Sequence, residues 1–373
     1  MTKIGIYLDY NASAPMEEAV ANAVRDVALQ GGNPSSVHRF GNVARRAIED
    51  AREKVASFAA ARPSEVVFTS GGTESNNLAI GGSGRETVFV SAVEHDSVLA
   101  PAADKSLRCE IIAVDTNGVV DTGALDQMLT AAKSPALVSV MFANNETGVI
   151  QPVKKIAEIA HSHGALFHCD AVQAAGRLSL DELSGADLIS LSAHKLGGPM
   201  GVGALIVRHD SLKARIVGGG QERGRRAGTE NGPGIAGFGV AAEIASTHEK
   251  ATEINDLRDN LEARLTAIGG FIFGDGAVRI GNTSCVSMPR VAAETQVIAF
   301  DLDGIAISVG AACSSGKVGA SHVLAAMGVA VDDAETAIRV SLGHQTTSAQ
   351  IDQFIDSWTI LRLRTGDAAR SAA

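Results

Sequence analysis

Between residues 66 and 207 short apolar runs alternate with helix-length segments, and no other feature restricts the fold as strongly. The runs lie at 66–69, 87–91, 110–114, 137–142, 166–170, 188–192 and 203–207. Most are rich in Val, Ile, Leu and Phe with little alternation, the pattern of strands buried on both faces. Helical patterns at 97–106, 123–132 and 153–162 separate several of them. Such strand–helix–strand units predict a mainly parallel sheet between helices, with ligands taken at the carboxyl ends of the strands. Two helices, 17–30 and 38–60, are expected ahead of the sheet. A Gly/Arg-rich loop at 218–232 follows it, and then a helical stretch at 234–267. Within that stretch Ile254, Leu257, Leu261 and Leu265 recur at helical spacing, which predicts a helix joining two lobes. The remainder, 271–363, mixes short strands and helices. The expectation is an α/β fold with a large domain at 12–250 and a smaller α+β C-terminal domain made of 1–11 and 251–373.

Composition narrows the function. Of 373 residues 45% are hydrophobic and 20% charged, which supplies a large core and excludes a disordered or fibrous chain. The net charge of −10 lacks the electrostatic footprint of a general nucleic-acid binder. No run reaches the roughly 18 apolar residues of a membrane helix, and Asp9 falls too early for a signal-peptide core. A cytoplasmic protein is expected. Cys109, Cys169, Cys285 and Cys313 are scattered without a CxxC pair, against a disulfide scaffold or a structural zinc site.

Three segments at predicted strand ends carry the candidate chemistry. Thr69-Ser70-Gly71-Gly72-Thr73-Glu74-Ser75-Asn76-Asn77 follows a strand and opens a helix, so free backbone N–H groups and hydroxyls suit a phosphate. An ordinary capped Gly turn satisfies the same residues. Asp170 ends an apolar strand, where a carboxylate needs a cationic partner such as a protonated ring nitrogen, with Gln173 in reach of a neighbouring ring oxygen. A helix N-cap is the alternative. In Ser190-Leu191-Ser192-Ala193-His194-Lys195 the lysine follows a buried strand, where loss of water lowers its pKa and leaves a neutral amine able to condense with an aldehyde. Together a phosphate cradle, an acid for a ring nitrogen and an aldehyde-trapping lysine specify pyridoxal 5'-phosphate. His161, His163 and His168 lack converging metal-ligand spacing and are read as a solvated helix end. Arg223, Arg225 and Arg226 are read as a flexible loop rather than a nucleic-acid patch.

With these stand Tyr7-Leu8-Asp9-Tyr10-Asn11-Ala12, Gly31-Gly32-Asn33-Pro34-Ser35-Ser36-Val37-His38 and Asn144-Asn145-Glu146-Thr147-Gly148. Arg226-Ala227-Gly228-Thr229 and Ala311-Ala312-Cys313-Ser314-Ser315-Gly316 follow in order. The chain resembles the NifS/IscS-type cysteine desulfurases of the class V aminotransferase superfamily, over nearly its whole length. The resemblance implies the pyridoxal-phosphate-dependent transferase fold type I and a homodimer. It implies a reaction that converts L-cysteine to L-alanine and leaves a persulfide on Cys313, for iron–sulfur cluster or other sulfur-containing cofactor or tRNA synthesis. In its terms Lys195 holds the cofactor, Asp170 pairs with the ring nitrogen, Gln173 contacts the phenolic oxygen, and His95 stacks on the ring and assists proton transfer. Gly72, Thr73, Ser192, His194 and a partner subunit's Thr229 belong to the cofactor site. Asn145, also at the cofactor, and Arg339 orient the substrate carboxylate.

The Gly, Ala and Ser residues around Cys313 suit a mobile nucleophile rather than a core thiol, whereas Cys109, Cys169 and Cys285 read as core. No metal site is implied beyond transient iron–sulfur ligation at Cys313 during transfer. Met200 and Ala320 replace residues common in the family, lysine and proline. The implied partner is a sulfur acceptor or scaffold protein of open identity. A selenocysteine lyase or aminotransferase of the same superfamily, or a non-catalytic sulfur-assembly subunit, are the competing readings. Lys195, Asp170 and His95 together speak against the last.

Overall fold

The computed structural model describes residues 5–209, 211–246, 251–310 and 321–371. The seven expected strands form one sheet. Its order is Val66–Thr69, Gly203–Val207, Leu188–Ser192, Leu166–Asp170, Ala136–Ser139, Thr87–Ser91 and Arg108–Ile112. Every pairing is parallel except those of Gly203–Val207, which runs antiparallel to both neighbours. Alternate residues serve opposite faces. Phe68, Phe89, Phe167, Cys169, Ile189 and Leu191 join one apolar core, while Val67, Val88, Val90, Leu166 and Leu188 join another. Because both faces are covered, the strands read as continuous apolar runs in sequence.

Five of the seven strands have the expected bounds. Two are offset. The run at 110–114 is the strand Arg108–Ile112, and the run at 137–142 ends as a strand at Ser139. Beyond Ser139 the backbone still donates from Val140 N to His168 O (3.1 Å) and from Phe142 N to Asp170 O (2.9 Å). The helical stretch at 234–267 is instead two helices, Gly232–Ala245 and Ala251–Ala267. The first ends at Ala245, and Ser246 N and Oγ both donate back to Ala242 O (3.1 and 2.9 Å).

The smaller C-terminal domain has an antiparallel sheet ordered Ser308–Val309, Ala337–Ser341, Thr283–Ser287 and Phe271–Ile272. Its apolar core includes Leu261, Leu265, Val286, Ile338, Phe300, Phe354 and Trp358. Phe300 stacks on Phe354 with ring centroids 4.8 Å apart. The N-terminal strand Ile6–Tyr7 pairs in parallel with Ile305–Ala306, so the start of the chain is built into this C-terminal unit. From there the chain crosses to the large sheet, where Ala14 N donates to His194 O (2.9 Å).

Candidate active site

Five of the parallel-sheet elements end around one cavity of about 440 Å³. Gly72 and Thr73 open the helix Gly72–Gly82 directly after the first strand, with their end of the helix at the cavity. His95 follows Thr87–Ser91, and Asn145 follows Ala136–Ser139. Asp170 closes its strand, and Ser192, His194 and Lys195 follow from the next. Arg339 enters from the C-terminal sheet.

Lys195 Nζ donates to Asn11 O (2.5 Å) and Ala12 O (2.9 Å). Burial pulls its pKa down to about 7, the Arg339 and Arg177 cations add to the shift, and Asp9 and Asp170 oppose it. A neutral amine is therefore present near pH 7. Burial, and then the charge of Lys195, takes His194 down to about 4 and keeps it neutral.

The Asp170 carboxylate is held at both oxygens. Oδ1 accepts from Val172 N (2.9 Å), and Oδ2 accepts from Asn76 Nδ2 (2.7 Å). Asn76 Nδ2 also donates to Ser97 Oγ (2.8 Å), whose own hydrogen is left for His95 Nδ1 at 2.8 Å. Because Ser97 N also donates to His95 Nδ1 (3.0 Å), that nitrogen is an acceptor and the ring presents Nε2–H. A chain of three contacts thus ties Asp170 to His95.

Arg339 is 5% exposed and is spread across several partners. Nη2 pairs with Asp9 Oδ1 (2.9 Å), Nη1 donates to Asn145 O (3.1 Å), and Nε has no hydrogen-bond partner among the described residues. An ion pair and a cavity-lining role coexist at this residue. Thr229 is exposed and does not line the cavity of its own chain. Cys313 lies outside the described residues.

Other sequence expectations change. His168 belongs to no solvated helix end: it is buried mid-strand between Ser139 Oγ (2.8 Å) and Ser190 Oγ (2.9 Å), and burial lowers its pKa to about 3. His161 and His163 do sit at the helix end, against Asp187 (3.0 Å) and Asp126 (2.8 Å). In the arginine loop Arg226 forms a two-pronged pair with Glu74 (2.9 and 3.2 Å). Cys169 and Cys285 are buried, and burial raises both thiols; Cys109 is half-buried on the edge strand. Asn11, Asn76, Ser97 and Ser308 line the cavity without having been singled out for a role. For Asn76 a signal was available, since it lies inside the Gly71-to-Asn77 motif.

A parallel sheet with a buried lysine and an aspartate at adjacent strand ends defines the aldehyde-cofactor class of enzymes. Comparison with known proteins agrees. The aminotransferase class-V model matches residues 6–354. A cysteine desulfurase of Gluconacetobacter diazotrophicus is 43% identical, covering 94% of this chain and 92% of the relative. The cysteine desulfurase IscS of Dictyoglomus turgidum is 40% identical, over 94% of this chain and 93% of the relative. The crystal structure of a NifS-like protein from Rickettsia africae superposes with a TM-score of 0.88 at 35% identity, over 95% of this chain and 98% of that one. The chain belongs to the class-V aminotransferase family and, within it, to the NifS/IscS-type cysteine desulfurases.

Members of this family are enzymes that depend on pyridoxal 5'-phosphate, and the residues present fit that group. Among the described residues Ser192 Oγ and His194 Nδ1 are buried without a hydrogen-bond partner beside the helix opening, as donors awaiting an anion would be. A Cβ on Gly72 would come within 3.0 Å of Val172 Cγ2 and 3.5 Å of Ser192 Cβ, so a larger residue there would crowd the side chains around the helix opening.

Proposed function

We propose that the enzyme converts L-cysteine to L-alanine and passes the sulfur, as a persulfide on Cys313, to an acceptor protein. The neutral Lys195 amine, enclosed in one cavity with Asp170, His95 and Arg339, is the observation that carries this reading. Bound pyridoxal 5'-phosphate supplies an aldehyde for amines and a protonated ring that accepts the electron pair left at the substrate Cα. In this reading Lys195 would hold the cofactor through its amine and would carry the substrate Cα proton. Asp170, held by Asn76 and Val172 N, keeps the ring nitrogen charged. Gln173 would contact the phenolic oxygen, and His95 would lie against the ring. Gly72, Thr73, Ser192 and His194, with Thr229 of a second copy, take the phosphate. Asn145 and Arg339 orient the substrate carboxylate.

The Cys313 thiolate attacks the substrate sulfur. The new S–S bond forms as the C–S bond breaks, and the carbon keeps that electron pair and takes a proton to become alanine. The enzyme is read as a cytoplasmic homodimer, in keeping with the exposed position of Thr229 and the unpaired cysteine pattern. It is read as dividing into domains at 12–250 and at 1–11 with 251–373, in keeping with one apolar cluster drawn from 48–242 with Ile280 and another drawn from Leu8 and 261–358.

Cys313→Ser tests the reading. Cysteine should still change the visible spectrum of the bound cofactor, while alanine and sulfide formation fall by at least roughly a hundredfold. Mass spectrometry of the unmodified enzyme after cysteine treatment should place an added sulfur on Cys313 and on no other cysteine. Wild-type alanine release from the Ser variant would instead identify a lyase that does not use this thiol.

A further inference from the structure

Gln173 is gripped at both ends of its amide. Four residues on, Arg177 returns to it: Nη1 donates to Gln173 O (2.7 Å) and to Gln173 Oε1 (2.9 Å). The return is made at Gly176, whose φ is +76° and where a Cβ would come within 2.9 Å of Leu196 Cδ2. At the other end Gln173 Nε2 donates to Asn11 O (3.0 Å). Turning the amide over would set its NH2 against the guanidinium and its oxygen against a carbonyl oxygen, so both contacts would become repulsive. In the orientation observed the oxygen is engaged, and Nε2 retains one N–H beyond the one given to Asn11.

Arg177 itself stands outside the cavity. It lines a different one, of about 580 Å³, which shares Lys195 with the first. Among the described residues its hydrogen bonds go to amide oxygens alone, the third being Nη2 to Tyr10 O (3.4 Å). The charge acting on it is a like one, that of Arg339. A half-buried cation spent on amide oxygens next to a second cation is a costly arrangement for packing alone.

We propose that Arg177 is a positioning residue, which holds Gln173 Oε1 and so fixes that amide as a hydrogen-bond donor towards the phenolic oxygen of the bound cofactor. This rests on the reading that places Gln173 at that oxygen. A donor there stabilises the anionic oxygen, so losing it favours the more protonated form of the bound chromophore. The pH midpoint of the cofactor's visible absorbance, measured on the holoenzyme without cysteine, therefore reports the contact.

The test is a double-mutant cycle on that midpoint. Gln173→Ala should raise it by about tenfold in proton affinity, and Arg177→Met by at least about threefold. In the Gln173→Ala background Arg177→Met should add less than about twofold, the remainder from its charge acting on Lys195. Arg177→Lys, which keeps the charge and one donor for Oε1, should return the midpoint to within about twofold of the wild type. If Arg177→Met does not fold, the uncharged Arg177→Gln completes the same cycle. An equal shift from Arg177 in both backgrounds would overturn the proposal, since the residue would then act by charge alone. An unchanged midpoint in Gln173→Ala would remove the contact at the phenolic oxygen, and the proposal with it.

Discussion

Two buried ionisable groups give the site opposite dependences on pH. Lys195 is held near 7, below the ordinary lysine value of 10.5, so its amine is about nine-tenths neutral at pH 8, against well under 1% for an exposed lysine. Capture of added cofactor by the cofactor-free protein should rise through about pH 7 and level by pH 8. A rate still climbing steeply from pH 9 to 10 would contradict the buried amine. Glu94, beside His95, is shifted the other way: burial, aided by Asp170, raises it to about 8 although Met141 N and Ser91 Oγ donate to Oε1. A carboxyl whose folded pKa lies above its unfolded one costs stability as pH rises from about 4.5 to 8. Glu94→Gln should therefore stabilise the protein by an amount that grows over that window, to a few kcal/mol, and is flat above it. Denaturant titrations at pH 5 and pH 8 would show this, and equal differences at the two would refute it. Lys195, Asp170 and Gln173 were legible in the sequence because a charged or amide side chain at the end of an apolar run stands out. Ser97 and Asn11 were not, because they stand at no strand end and their use shows only when partners 21 and 134 residues away are brought beside them.

At the level of elements, the loop before the helix Gly232–Ala245 is fastened by a buried ion pair. Arg52, from the helix Arg39–Phe58, donates to both Glu222 oxygens (2.8 Å each) and to Val66 O (2.9 Å), with its guanidinium 4.8 Å from the Phe68 ring centroid. Glu222 holds a left-handed conformation (φ 45°, ψ 37°), which a non-glycine residue keeps only when its surroundings enforce it. Arg52→Ala strands a buried carboxylate and should cost about 3–5 kcal/mol in urea unfolding. A loss under about 1 kcal/mol would show the pair to be incidental. This fastening was invisible in sequence, where the loop read as a flexible basic stretch. The sheet was legible to the residue at five strands, since burial on both faces writes itself into composition. The end of the first helix at Ala245 was not, since residues 246–253 hold neither Gly nor Pro to mark it.

Across the whole molecule, Asn11 is the point where the two halves meet. It is fully buried, donates to Asn145 O (3.2 Å) and Thr283 Oγ1 (2.9 Å), accepts from Asn282 Nδ2 (3.0 Å), and offers its carbonyl to Lys195. Asn11→Ala should cost about 2–4 kcal/mol, at roughly 1 kcal/mol for each lost bond, and should speed the release of cofactor on dialysis. Unchanged retention with lowered stability would confine Asn11 to joining the halves. The same segment orders events during synthesis. Asn11 N donates to Ser341 Oγ, 330 residues later, and Ile6–Tyr7 pairs with Ile305–Ala306. At roughly 5–20 residues per second the ribosome needs about 15–65 s to supply those partners, long after the lysine and every strand of the large sheet have emerged. Until then the carbonyls that grip Lys195 are braced from the large-sheet side alone, through Gln173 Nε2, Asn145 O and His194 O. A half-made chain thus carries its lysine in a cradle braced from one side, and firm capture of a reactive aldehyde is expected only late in synthesis.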